Sequence, residues 1–108
     1  TMKKINFDLN IEDDVFIVCD MKKITKLIDN ILSNAIKYNK IAGFIKVNLN
    51  DNILSIEDSG KGIEKENLKT VGGFGIGLNI VSLIAKEYNL KIDIKSQIDI
   101  GTTVEITW

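Results

Sequence analysis

The chain has 108 residues and contains no histidine, no proline and no arginine, with a single cysteine and a single tryptophan. Each absence closes off a class of explanation. Without histidine, any chemistry on an imidazole must use one from another segment. Without arginine, every cation is a lysine, a point charge that cannot grip a carboxylate or phosphate with a planar two-pronged fork. Without proline, the loops carry no rigid breaks. The lone Cys19 lies beside the apolar run Val15-Phe16-Ile17-Val18, cannot close an internal disulfide, and reads as a buried thiol of a reducing compartment. No apolar run approaches the ~18 residues needed to span a bilayer, and no signal peptide is visible. The 14 basic and 15 acidic side chains balance to a net charge of −1, so the chain lacks the basic footprint of a nucleic-acid binder.

The length gives room for one domain, residues 1–108, with one core. Thr1-Met2 reads as a leftover residue ahead of a start, which would make the chain an excised domain. Short strands are expected over Lys3–Leu9 and Val15–Cys19. A helix over Met21–Tyr38 follows, with Asp20 as its N-cap and Ile24, Leu27, Ile28, Ile31, Leu32, Ala35 and Ile36 on one buried face. Phe44–Asn50 and Ile53–Asp58 read as a hairpin turned by Asn50-Asp51-Asn52. A second helix over Ile76–Tyr88 and two strands carrying Ile92, Ile94, Val104 and Ile106 close the chain. These elements define an α+β fold, a two-layer α/β sandwich with helices on one face of a mixed sheet.

Two glycine-rich stretches stand out, Asp58-Ser59-Gly60-Lys61-Gly62-Ile63 and Gly73-Phe74-Gly75-Ile76-Gly77-Leu78. Glycines at this spacing let backbone N–H groups approach a phosphate, and a helix N-terminus adds favourable potential for an anion. A lone glycine pair is equally a turn or a helix cap. On the first helix Asn30, Asn34 and Lys37 form a stripe beside the apolar one. Amide oxygens are hard ligands for Mg²⁺ and a lysine is a compact charge for phosphate oxygens, so the stripe suits a Mg²⁺-triphosphate. It also suits an ordinary solvated helix face.

The run from Asp29 through Asn30, Asn34, Ala35, Lys37 and Tyr38 to Asn39 closely resembles the N box of sensor histidine kinases. Asp58–Ile63 resembles their G1 box, Gly73–Leu78 their G2 box, and Ile100-Gly101-Thr102-Thr103-Val104 their closing Gly-Thr element. The four occur in the family's order and cover nearly the whole chain. The resemblance is to the catalytic, ATP-binding domain, and it implies the Bergerat-type fold shared with gyrase, Hsp90 and MutL. It implies that Asp58 accepts a hydrogen bond from the adenine amine, with Thr102 orienting that contact directly or through water. Gly60 and Gly62 would turn the chain beneath the base, Ile63 would wall it, and Tyr38 would pack near base or ribose. Asn34 would ligate Mg²⁺ with Asn30 beside it, and Lys37 would meet the phosphates. Gly73, Gly75 and Gly77, with Leu78, would form the lid's end and the following helix start.

The implied chemistry is transfer of the ATP γ-phosphoryl group to a histidine, which this chain must find on a separate dimerisation domain of a dimeric full-length protein. A response regulator would act downstream, and the location would be cytoplasmic, with any inner-membrane anchor on segments outside this chain. The lid, about residues 63–74, is shorter than usual in the family and lacks both an F box and the arginine that often reaches the γ-phosphate; Lys65 or Lys69 would stand in for it. Asp99 occupies a position where the family often has glycine. The short lid keeps in view a nucleotide-binding regulatory domain without transfer, and the small size an anti-sigma-factor-type serine kinase.

Overall fold

The computed structural model describes residues 4–12, 15, 17, 20–62 and 76–108, with the side chains of residues 76–80 outside the description. Strand β1 spans Asn6–Ile11, helix α1 Met21–Lys37, β2 Phe44–Asn50, β3 Ile53–Asp58, α2 Ile76–Glu87, β4 Lys91–Gln97 and β5 Gly101–Thr107. The strands form one mixed sheet in the order β1-β2-β3-β5-β4. β1 runs parallel to β2, and the other neighbours are antiparallel. β3 therefore lies at the centre of the sheet, flanked by β2 and β5.

Period-two alternation decides which face is covered. Leu54 and Ile56 of β3, Val104 and Ile106 of β5, and Ile45 of β2 are buried against Leu27, Ile31 and Ala35 of α1 and Val81, Ile84 and Ala85 of α2. The intervening residues lie on the other face, where exposed Lys95 pairs with Asp93 and Glu105 at 3.9 and 3.6 Å. Helices thus cover one face and the opposite face stays polar. Asp58 and Thr102 continue the helix-side alternation to the end of β3 and the start of β5, where they face each other in register.

Helix α1 starts where expected. The Asp20 side chain accepts a hydrogen bond from the Lys22 N–H at 2.8 Å, and the helix ends with Tyr38 as its C-cap. Ile36, expected on the buried face, is 42% exposed. The buried positions 27, 31 and 35 define the stripe, and a residue one step beyond 35 is rotated by about 100° away from it. α2 ends in a left-handed residue, Asn89 at φ 57°, and the Leu90 N–H reaches back to the Ala85 carbonyl at 2.8 Å, a Schellman-type stop. The first strand lies at Asn6–Ile11, shifted from the expected Lys3–Leu9. Of the strand expected over Val15–Cys19, the described residues Val15 and Ile17 are not extended into the sheet, and Phe16, Val18 and Cys19 lie outside the described residues. Among the described residues no helix is long and apolar enough to cross a membrane.

Candidate functional site

The last turn of α1, the turn after β3 and the β4–β5 turn meet at one corner of the sheet. Asn39, directly after the helix, is buried, and its amide organises the junction. Its Nδ2 donates to the Phe44 carbonyl at 3.0 Å, while its Oδ1 accepts from the Lys40 N–H at 2.9 Å and from the Ser59 hydroxyl at 3.0 Å. Ser59 Oγ in turn accepts from the Phe44 N–H at 2.8 Å. The helix end, the start of β2 and the turn after Asp58 are therefore tied by hydrogen bonds centred on two buried side chains, Asn39 and Ser59. Gly60 is demanded by close approach, since a Cβ there would lie 2.6 Å from the Tyr38 carbonyl oxygen and 2.8 Å from Asp58 Oδ1. The Lys61 N–H donates to that same Tyr38 carbonyl at 3.1 Å, and the Asp99 N–H donates to the Lys61 carbonyl at 2.9 Å.

Asp99 resolves the departure from the family's glycine. It adopts φ 65°, the left-handed conformation that glycine favours and aspartate tolerates, so the loop keeps a glycine-like backbone with a carboxylate in place. Gly62, at φ 77°, is glycine for both reasons: its backbone is left-handed, and a Cβ would run into the Gln97 carbonyl.

Within this frame Asp58 is half-buried. Its Oδ1 accepts from the Gly60 N–H at 2.8 Å, and the Thr102 N–H also donates to its carboxylate. Burial raises its pKa above the ordinary 3.8. The two N–H bonds pull the other way without cancelling it, and the neighbouring Glu57 charge adds to the rise. A carboxylate has about four lone-pair sites, so two N–H bonds leave acceptor capacity for a ligand. Asp58 and Thr102 border a cavity of about 520 Å³ at the end of the sheet, walled also by Phe44, Glu57, Lys95 and Thr103 from the face away from the helices.

The two asparagines of α1 behave differently. Asn30 spends its amide on its own helix, Nδ2 donating to the Lys26 carbonyl at 2.9 Å. Asn34, one turn on, has a fully buried Nδ2 with no hydrogen-bond partner, alone in this among the described side chains. A buried polar atom left without a partner costs about 1–3 kcal/mol, so the position invites a ligand. Tyr38 is partly exposed, with the Lys37 Nζ 5.3 Å and the Lys61 Nζ 4.5 Å from its ring centroid. Lys37, Tyr38, Asn39, Lys40, Gly60, Lys61 and Asp99 line a second cavity of about 400 Å³ beside the first.

The structure thus brings Asn34, Lys37, Tyr38, Asp58, Gly60, Gly62 and Thr102 to one corner, with Asn30 turned back to its helix. Ile63, Gly73 and Gly75 lie outside the described residues, as do Lys65, Lys69 and most of the lid. Gly77 and Leu78 fall in the first turn of α2, the side chain of Leu78 outside the description. Asn39, Ser59 and Lys61 were not singled out from sequence. The clue available for Asn39 was a polar residue directly after a helix end, which is common in ordinary turns and so carries little weight.

The chain matches the family of histidine kinase-, DNA gyrase B- and HSP90-like ATPases over residues 19–108, and it belongs to that family. Within it, the chain is an ATPase domain of the sensor histidine kinase type. It is 32% identical to the histidine protein kinase SaeS of Staphylococcus aureus (strain USA300) over 106 residues, covering 78% of this chain and 30% of that protein. The chain therefore spans about 30% of the length of the curated relatives it matches. Among solved structures, the mycobacterial sensor histidine kinase MprB superposes with a TM-score of 0.79 at 21% identity, over 94% of this chain and 79% of that one. The cytoplasmic segment of histidine kinase QseC superposes with a TM-score of 0.77 at 23% identity, over 97% and 58%. At these identities the likeness is one of fold. The histidine kinase AdeS of Acinetobacter baumannii reaches 27% identity with a TM-score of 0.70, over 97% and 55%.

The family binds ATP, and the donor set at this corner fits a nucleotide with its metal. The orphaned amide of Asn34 is the test. Its nitrogen and oxygen exchange places by a half-turn of the side chain. Asn34 therefore offers either a hard oxygen for a divalent cation or an unspent donor for a phosphate oxygen.

Proposed function

We propose that this domain binds Mg²⁺-ATP and gives its γ-phosphoryl group to a histidine on a separate helical dimerisation domain of the same protein, from which a response regulator receives it. Two observations support the reading: a half-buried Asp58 that, when ionised, only accepts, and a buried Asn34 Nδ2 with no hydrogen-bond partner. In this reading the ionised Asp58 accepts from the adenine 6-amino group and Thr102 supports that contact. Tyr38 packs against base or ribose. Asn34 holds Mg²⁺ and Lys37 meets the phosphates. When bound, the metal neutralises phosphate charge, the chief need of phosphoryl transfer. Ile63, Gly73, Gly75, Gly77 and Leu78 complete the wall and lid. The chain's own contribution is orientation and charge, which is consistent with its having no histidine.

Calorimetric titration with ADP and a non-hydrolysable ATP analogue, with and without Mg²⁺, tests the binding half. Saturable binding that tightens with Mg²⁺ supports it, and no binding at millimolar nucleotide sinks it. Mixing the chain with labelled ATP and the histidine-bearing domain of the full protein tests the transfer half. Binding without label transfer would make the domain a regulatory nucleotide sensor, the reading the short lid favours. Label on a serine of a partner would make it a serine kinase.

A further inference from the structure

We propose that Lys61 binds a phosphate of the nucleotide, adding a second cation to the one that Lys37 brings to the candidate site. The inference rests on the nucleotide reading above and gives it a residue outside the stripe on α1. Lys61 sits between Gly60 and Gly62, and its main chain is fastened on both sides. Its N–H donates to the Tyr38 carbonyl at 3.1 Å, and its carbonyl accepts from the Asp99 N–H at 2.9 Å. The root of the side chain is thus held in register with the end of α1. From there the ammonium reaches over the Tyr38 ring, with Nζ 4.5 Å from the centroid, closer than the Lys37 Nζ at 5.3 Å. The ring quadrupole attracts the cation, which narrows the positions a flexible lysine would otherwise sample.

The charges around this point are one-sided. Lys37, Lys40 and Lys61 line the same cavity of about 400 Å³, and Asp99 is the only carboxylate among the described residues that line it. Among the described residues no carboxylate lies within ion-pair distance of Lys61, and the tyrosine ring draws the ammonium without neutralising it. Cations gathered in a concave site raise the local concentration of anions. The anion read for this corner is a nucleotide polyphosphate, and the chain must meet its charge with lysines, because it contains no arginine. A lysine is a point charge and not a two-pronged grip, so holding several phosphate oxygens takes more than one of them.

The test titrates Mg²⁺-ADP and adenosine into the unaltered chain, Lys61→Met, Lys61→Arg and Lys91→Met, followed by nuclear magnetic resonance so that millimolar binding is read. Lys91 is an exposed lysine at the far end of β4 and controls for the general loss of one positive charge. The Lys61 side chain is exposed too, so its substitutions leave the core intact. Lys61→Met should weaken ADP about fivefold, the upper range for an exposed charge pair, and leave adenosine unchanged. Lys61→Arg keeps the charge and should keep the affinity; a loss equal to that of Lys61→Met would overturn the inference. A loss in Lys61→Met no greater than in Lys91→Met would also overturn it and leave the nucleotide reading intact. So would an equal weakening of adenosine, which would make Lys61 a prop for Tyr38 and not a phosphate ligand. Where adenosine binds too weakly to read, the salt dependence of ADP affinity decides: it should be shallower in Lys61→Met, and an unchanged slope would overturn the inference. Failure of the unaltered chain to bind ADP would overturn both.

Discussion

The two ends of helix α1 are held by opposite means. At the N-terminal end the fastenings are exposed: the Asp20 cap, a hydrogen bond from the Asp20 N–H to the Tyr88 hydroxyl at 3.2 Å, and the Lys23–Glu87 ion pair at 2.6 Å with both side chains nearly half exposed. At the C-terminal end they are buried: Asn39, Ser59 and the close approach of Gly60 to the Tyr38 carbonyl. Exposed ion pairs contribute little because water and salt compete for both partners, whereas buried polar bonds are costly to break because nothing replaces them. The candidate site sits at the buried end. One helix is thus loosely tethered at its exposed end and tightly registered at the end that carries Lys37 and Tyr38, where the Lys61 N–H donates to the Tyr38 carbonyl.

The comparison predicts effects of very different size. The largest should come from Asn39→Ala, which removes three hydrogen bonds at once and leaves the Lys40 N–H and the Ser59 hydroxyl without their Asn39 acceptor, although the Phe44 carbonyl keeps the Ser59 N–H; a loss of about 2–3 kcal/mol in denaturant unfolding is expected. A loss no greater than that of an exposed substitution would show that water enters the junction, and the contrast between the two ends would collapse.

Asp58→Asn should separate stability from function. The raised pKa means that the folded state favours the protonated carboxyl, so this group's stabilising contribution is present below the ordinary 3.8 and is lost as pH rises through its higher folded value. At neutral pH the ionised side chain therefore costs stability, and Asn should leave the melting temperature unchanged or higher. Nucleotide affinity should fall by about 2 kcal/mol, the scale of a hydrogen bond to a charged group. The same linkage predicts that ADP affinity weakens on acidification before an ordinary aspartate would titrate. Affinity that stays level until the ordinary carboxylate range would place Asp58 outside the base contact.

Smaller in stability, though sharp in kind, is Asn34→Ala. Removing an unpartnered buried amide should cost the fold little, while the tightening of nucleotide binding by Mg²⁺ should vanish. If circular dichroism showed unfolding, the amide would have a structural partner instead. The smallest effect belongs to Lys23→Met at the exposed end. Its pKa is raised chiefly by the hydrogen bond to Glu87, but the ammonium is open to solvent, so the change in melting should be slight and shrink further with added salt.

Much of this was legible in one dimension because it depends on local chemistry. The 3.6-residue recurrence of Leu27, Ile31 and Ala35, the Asp20 cap, the Asn50-Asp51-Asn52 turn and the order of the glycine boxes each report on neighbours a few residues apart, which suffices for elements, fold class and the corner where the boxes meet. Where local apolarity was the only guide it misled. The run at Val15–Cys19 reads as a strand, yet its described residues, Val15 and Ile17, are not part of the sheet, and pairing is a property of the partner strand as much as of the run. Asn30 and Asn34 are likewise indistinguishable by residue type and spacing. One bonds its own helix and the other has a buried Nδ2 with no hydrogen-bond partner, a difference that only the folded chain reveals.

Sequence by itself therefore determined which residues belong to the fold and which boxes belong to the family, since periodicity, capping and glycine spacing are short-range and survive without knowledge of contacts. Only the tertiary structure decided that Asn39 and Ser59 tie the helix end to the turn after β3, and that Asp99 takes a left-handed backbone where the family often has glycine. Each of those depends on a hydrogen-bond partner or a backbone approach supplied by a distant segment, and donor direction and desolvation exist only once those segments have met.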